Sequence, residues 1–568
     1  MPMRWVIGAV SISWIFWLNA TNHTAQAQIL PIEFPPPQDT ISPGPPSIPE
    51  LPLPQELPSA DELLGPSQTP SNQTPLPADD VTFLISRFDF INNTAFDDAL
   101  LKTVTNEFLG PSQTFLDVAA ARAAVTQLYI EEGYATSGAI LPPQQIIDGV
   151  VQIEIVEGSL SEIVVTGNRR LNPSYISSRI ALGTATPLNV NDLVERLQLL
   201  QLDPLISSVS AELQASPQAG TNRLAVSVIE ADSFGMTYTL DNNRSPSVGT
   251  VRNQLRVTEA NVLGLGDSLS IGYTTTSGSN GINANYTIPI SPQGSTLTLS
   301  VDTSDNDVIE KPFDVLDIDS DSDFYELTLK HPLKLTPTQE FAVGLTASHQ
   351  RSQTSLGIDD IGPTPLSLGA DSEGRTRVSA VRFFQEWTGR SAKDVLALRS
   401  QFNLGIDVLD ATINDENIPD SRFFSWQGQA QWLHVIAPET LLLFRGSAQL
   451  ATTPLLSLEQ LSLGGQSTVR GYRQNLLSTD SGALASVEMR FPIWRDRINN
   501  SLLQITPFLD AGYGWNIKES TPDPLASVGL GILFRQQNLT ARLDWGLPLI
   551  SIENIRDSLD EIGIHFIL

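Results

Sequence analysis

The sequence predicts small α+β repeats followed by an all-β transmembrane antiparallel barrel of about 16 strands. Three observations carry this. From about residue 233 to the end, segments of about 8 to 14 residues alternate apolar and polar side chains, so each has one oily and one hydrophilic face. The connections between these segments alternate short and long. The chain also opens with a secretory-type leader, yet no later apolar run reaches the roughly 18 residues that a spanning helix needs.

The leader comes first. Arg4 precedes an apolar run from Trp5 to Leu18, and the polar stretch after it ends in Ala25-Gln26-Ala27. A charged start, a short apolar centre and an A-x-A site predict a signal peptide over 1–27, cut after Ala27. The 568 residues carry 33 Lys and Arg against 63 Asp and Glu and contain no cysteine. That charge has the wrong sign for a phosphate-binding face, so no nucleic acid partner is expected. The missing cysteines exclude disulfides, thiolate metal sites and thiol catalysis.

Residues 28–80 are dominated by proline, as in "PIEFPPPQDTISPGPPSIPELPLPQELP". Such a stretch favours extended polyproline II and buries no core, so a semi-rigid periplasmic linker is expected. Within it, Asp61-Glu62-Leu63-Leu64 is short and apolar enough to dock somewhere. Texture changes at Val81. "VTFLISRFDFINNTAF" predicts a strand, "TFLDVAAARAAVTQLYIEEGY" a helix with Leu116, Ala119, Ala120, Ala123, Leu128 and Tyr129 on its inner face, and "GVVQIEIVEG" a strand. Residues 159–232 repeat the order: "LSEIVVTGNRRL", the capped helix "NVNDLVERLQLLQ", then a hairpin from "VSAELQAS" and "NRLAVSVIEA". Two units are therefore expected, at 81–158 and 159–232.

The remaining span, 233–568, divides into sixteen segments starting near 233, 250, 267, 281, 295, 323, 340, 375, 394, 422, 440, 482, 504, 526, 538 and 561. "NVLGLG", "SPQG", "KLTPTQ", "GRSAK", "APET" and "QQ" are short connections, whereas 305–322, 351–374, 407–421 and 452–481 are long. An even strand number with short turns on one side is the outer-membrane pattern, and closure leaves no unpaired edge in lipid. In "VEMRF", Val487, Met489 and Phe491 face lipid while Glu488 and Arg490 face a wet bore. In "TARLDW", Ala541, Leu543 and Trp545 oppose Thr540, Arg542 and Asp544. The chain ends "EIGIHFIL", with Glu561, Gly563, Phe566 and Leu568 spaced like the C-terminal insertion signal of such barrels.

These residues converge on one family. "QLYIEEGYATSGAILPPQQIIDGVVQIEIVEG" closely resembles the first POTRA domain of the hemolysin activation/secretion proteins, matching at Tyr129, Gly133, Tyr134, Pro142, Gln144, Asp148, Gly149 and Glu157-Gly158. "LGGQSTVRGY", "GALASVEMRFPIW" and "PFLDAGYGW" look like that family's barrel motifs. The resemblance covers roughly 81–568 and implies an outer-membrane transporter of two-partner secretion: α+β POTRA repeats in the periplasm, then the barrel. It implies that Val469, Arg470, Gly471 and Tyr472 tip a long loop, 452–481, folded into the lumen. It further implies that Arg470 pairs with Asp510 of a Phe508-x-Asp510-x-Gly512 wall motif and pins the loop. Phe508, Asp510 and Gly512 share the hydrophilic parity, and Gly512 allows a close backbone approach. Glu488 and Arg490, inward on the neighbouring strand, are further candidate partners in the lumen.

Other signals lead nowhere. His23, His331, His349, His434 and His565 lack metal spacing, and no metal or cofactor is expected. The acidic run "DVLDIDSDSDFYE" lacks the glycine of a calcium loop and is expected in a solvated outer loop. No nucleophile elbow or other catalytic constellation is present. The expected function is a monomeric pore, embedded in outer-membrane lipid, that moves an unfolded secreted partner captured by the repeats. The alternatives are a factor that inserts other barrels and a solute porin.

Overall fold

Two strand-ending glutamates, Glu157 and Glu230, organise the N-terminal part of the molecule. The structure is a computed structural model that describes residues 51–54, 57–64, 81–218, 220–357, 362–363, 365–415, 418–518, 523–551 and 558–568. The expected leader at 1–27 and most of the 28–80 linker lie outside the described residues. The linker does contribute one turn of helix, α1 (Ala60–Leu63), where the Glu62 carboxylate accepts the Ser59 N–H at 2.8 Å.

The first repeat runs β1 (Phe83–Ile85), β2 (Arg87–Ile91), α2 (Asp98–Thr105), β3 (Gly110–Gln113), α3 (Phe115–Glu131), β4 (Gly138–Ile140) and β5 (Val150–Val156). The second runs β6 (Ser159–Thr166), α4 (Pro173–Ala181), α5 (Val190–Gln201), β7 (Ile206–Ala215) and β8 (Thr221–Glu230). In each sheet the last strand is central, parallel to the first and antiparallel to the one before it. The parallel pairing needs a crossover, and two helices supply it. The sequence predicts one helix per repeat. The added helices, α2 and α4, have only 8 and 9 residues, too few to fill the window over which a helical period is read. The Asn172 cap and Pro173 at the first helical position do mark the start of α4.

One face is corrected. Helix α3 buries Val118, Ala121, Val125 and Tyr129 against Val151, Ile153 and Ile155, while Leu116 is 59 % exposed. Alanines cover much of this helix, so its apolar face is ambiguous; the β-branched Val118 and Val125 set the true phase.

Residues of the POTRA resemblance have definite jobs. Glu157, just past β5, accepts the Thr94 and Ala95 N–H groups at 2.6 and 2.9 Å, and the Tyr129 hydroxyl donates to it at 3.1 Å. Glu230 does the same at the end of β8, accepting the N–H groups of Arg169, Arg170 and Leu171. The Gln144 side-chain amide bonds both the N–H and the C=O of Gln152, at 2.7 Å each. Burial alone would raise both glutamates, but the donors outweigh it and hold each carboxyl below its usual range. A depressed folded value makes the stabilisation complete above the ordinary carboxylate range and lost as pH falls through the folded value. Glu157→Ala is therefore expected to cost about 1–3 kcal/mol at neutral pH and less in acid. Faster hydrogen exchange along β5 in the variant, converging with wild type as pH falls, is the check.

The barrel begins with β9 (Phe234–Asp241), β10 (Arg252–Glu259), β11 (Ser268–Thr275), β12 (Ser279–Pro289) and β13 (Thr296–Asp307). It continues through β14 (Ile318–Leu335), β15 (Gln339–Leu356), the two-residue extension β16 (Gly362–Pro363), β17 (Arg375–Arg390), β18 (Asp394–Ile406), β19 (Phe424–Ala437) and β20 (Thr440–Ala451). A hairpin of β21 (Leu461–Leu463) and β22 (Leu477–Thr479) interrupts the wall. The wall resumes with β23 (Ser481–Asp496), β24 (Ser501–Trp515), β25 (Asp523–Gln536), β26 (Leu539–Pro548) and β27 (Ile564–Ile567). Leaving out β16 and the hairpin, sixteen antiparallel strands close on themselves, with β27 paired to β9. At that seam Leu240 and Leu568 exchange backbone bonds of 3.1 and 2.8 Å. The Asn242 side chain adds bonds to Ile564 O and Phe566 N–H at 2.7 Å each.

Faces follow parity. Val487, Leu509, Leu543 and Trp545 are exposed outward, while Glu488, Arg490, Asp510 and Asp544 are buried in the bore. The acidic run is a second correction. It is mostly strand, from Ile318 onward, with Asp319 opposite Asp307 and Asp321 opposite Asp305 on a β14 of 18 residues. The ladder carries past the aspartates because the alternate residues, Ser320 and Ser322, are buried.

Candidate functional site: a loop held inside the barrel

The connection between the eleventh and twelfth wall strands, β20 and β23, does not stand out into solvent. The β21–β22 hairpin turns it inward, and Leu463, Val469, Tyr472 and Leu525 form a small apolar core around its tip. Three glycines make room. A Cβ on Gly512 would lie 2.9 Å from Val469 Cγ2. Gly471, at φ +91°, sits back to back with Gly546, where a Cβ would lie 2.6 Å from the Gly471 nitrogen. No L side chain suits that φ, so glycine is required at 471.

Arg470 is 1 % exposed, and the wall satisfies it on every side. Its Nε and Nη2 donate to Asp510 Oδ2 and Oδ1 at 2.7 and 2.8 Å, and its backbone N–H reaches Oδ2 at 3.1 Å. Nη1 donates to Glu488 Oε2 at 2.7 Å, and Nη2 to Ser486 Oγ at 3.2 Å. The guanidinium also lies 3.5 Å from the centre of the Phe508 ring, a cation–π contact. Glu488 binds two further cations, Arg490 Nε at 2.9 Å and Arg542 Nη2 at 2.5 Å. Arg542 Nε donates to Asp544 at 2.7 Å, and Asp544 lies 3.7 Å from Arg470. Three arginines and three carboxylates are thus joined here, and a further arginine, Arg445 of β20, lies close enough to act on them. A buried charge is tolerable only when paired and hydrogen-bonded in this way.

All seven residues named for the loop and wall motifs meet here, and Glu488 and Arg490 join them. Several partners were not legible. Ser486 bridges to Asp510 at 2.7 Å. His565, read from sequence as an unremarkable histidine, accepts the Gly471 N–H on Nε2 at 3.2 Å. The Tyr472 hydroxyl lies 2.8 Å from Ala526 O and 3.0 Å from Ile550 O. Arg473 donates to both Glu310 oxygens at 2.7 Å, on the connection between β13 and β14. On another sector of the wall, Arg382 of β17 grips the loop's Glu459 at 3.0 and 2.6 Å. The polarity there is reversed, with the cation on the wall and the carboxylate on the loop. The loop is therefore tied at several points around the circumference.

The chain is similar to known proteins. Residues 220–534 match the family described as haemolysin secretion/activation protein ShlB/FhaC/HecB, and residues 83–158 match the POTRA domain of ShlB type. The outer membrane transporter CdiB of Dickeya dadantii is 22 % identical over 493 residues, which span 84 % of this chain and 85 % of the relative. The heme/hemopexin transporter protein HuxB of Haemophilus influenzae is 22 % identical over 444 residues, spanning 76 % and 75 %. The solved structure of CdiB from Escherichia coli superposes with a TM-score of 0.67 at 19 % identity, covering 88 % of this chain and 93 % of that one. BamA from Haemophilus ducreyi, lacking POTRA domains 1–3, gives 0.51 at 14 % identity over 86 % and 99 %, a likeness of fold. With more than half its length matched by one family and a POTRA domain ahead of a closed sixteen-strand barrel, this chain is a member of the haemolysin secretion/activation family, an outer-membrane transporter with its N-terminal domains in the periplasm.

Proposed function

We propose that the two repeats, 81–158 and 159–232, capture an unfolded secreted polypeptide in the periplasm, and that a single barrel threads it outward without nucleotide hydrolysis. Arg470 and its partners act as a reversible latch, and the loop 452–481 leaves the bore while the client passes. The observation that carries this is the way the loop is held: each hydrogen bond named at the charged tip has a side chain on one side, so none of them is a rung of the wall's ladder. Such a latch needs intermediate strength. In a medium of effective dielectric near 20, two unit charges about 4 Å apart attract by roughly 4 kcal/mol before desolvation, against about 0–1 kcal/mol for an exposed pair.

Gene deletion tests the reading. Loss of a dedicated export pore removes one large polypeptide from the culture medium and leaves the outer-membrane proteome intact. Depletion of many barrel proteins instead would identify an assembly factor. A solute flux that survives removal of 81–232, with no polypeptide missing from the medium, would identify a porin.

A further inference from the structure

The second repeat's sheet, ordered β6-β8-β7, has β7 at one edge. Among the described residues, β7 is the repeat-sheet edge that carries another stretch of chain, and that stretch comes from the proline-rich arm. Leu64 makes a parallel bridge to Ala211 of β7. Leu63, the last residue of α1, is 2 % exposed and belongs to the core cluster with Leu193 and Leu197 of α5 and Val209 of β7. Gln198 of α5 donates to Pro58 O at 2.9 Å. Seven residues of arm, 58–64, thus satisfy the groove in three ways: a buried leucine, a strand bridge and a side-chain bond to an arm carbonyl.

We propose that this groove, between α5 and the edge of β7, is where the export client is first gripped, and that Ser59–Leu64 occupies it as a stand-in until a leucine-bearing client segment displaces it. The inference rests on the export reading and adds the surface, the partner chemistry and a resting state. An open edge recruits extended chain through backbone hydrogen bonds, while a pocket for alternate side chains selects what binds. Here the pocket selects leucine. The stand-in is built to be weak. Among the described residues it bridges one position of a ten-residue edge, and Pro58, just before it, has no N–H to add to the ladder. Tethering compensates, because a linked segment meets its site at an effective concentration in the millimolar range. A free client segment that pairs along more of β7 outcompetes it. The occupied edge is also shielded from chance aggregation.

The absence of cysteine makes the test clean. Leu64→Cys with Ala211→Cys places one thiol pair across a bridge, within the reach of a disulfide. The client is taken as the polypeptide that leaves the medium on gene deletion. Oxidised double-variant protein is expected at wild-type level in the outer membrane, with export down at least tenfold and restored by reductant. Each single variant exports normally in both states. Wild-type export from the oxidised pair overturns the proposal. Absence of export by wild type itself, by contrast, contradicts the transport reading. As a second measurement, Leu63→Asp ejects the arm, and the purified full-length variant in detergent should bind the client's unfolded chain at least threefold more tightly. Equal or weaker binding overturns the stand-in role.

Discussion

Alanine at position 470 is expected to shift the loop out of its seat at least a hundredfold, and to lower export because the latch can no longer re-engage between clients, while the barrel stays inserted. Arg470 makes five hydrogen bonds to Asp510, Glu488 and Ser486 and covers the Phe508 ring. Removing one member of a buried ion pair costs about 3–5 kcal/mol because the partner is left uncompensated. At about 1.4 kcal/mol per factor of ten, that shifts the loop by two to three orders of magnitude away from its seat. The wall keeps its sixteen-strand backbone ladder, which involves none of these side chains. Lysine is not expected to rescue: an ammonium cannot span both Asp510 oxygens and reach Glu488 at once. Asp510→Asn should share the phenotype. The check is the client's level in the medium against the level of folded, heat-modifiable barrel in the membrane.

Valine at position 546 is expected to produce the same loss by a route that touches no charge. A Cβ there would lie 2.6 Å from the Gly471 nitrogen and 2.8 Å from its Cα. Those are backbone atoms, so the clash cannot be relieved by a rotamer change. The tip must lift, taking Arg470 away from Asp510. Position 546 lies on β26 and pairs with Gly529 on β25, so a β-branched residue suits the strand itself. Folded barrel in the membrane with export down tenfold or more is the expected result. Protease access to the loop from outside the cell should rise in both variants.

Much of this was legible in the sequence, for a physical reason. A transmembrane strand must alternate, so Leu509 against Asp510 and Leu543 against Asp544 declare their faces in isolation. Starts such as Arg375 for β17 and Asp394 for β18 coincide with the positions read from alternation. The resemblance brought the loop tip and its wall motif into one hypothesis. What stayed hidden has no period. Arg382 and Glu459 meet only because the closed wall brings β17 beneath the returning loop. Gly546 and His565 look like ordinary strand residues until the tip is seated against them. The inner face of α3 was misread because alanine covers much of that helix and fits a core or a surface equally well.

Current through single barrels in planar bilayers tests the latch most directly. If Arg470 holds the loop within the bore, wild-type barrels stay mostly closed with brief openings, and Arg470→Ala barrels dwell in a state of several-fold larger conductance. Indistinguishable traces from the two proteins would contradict it.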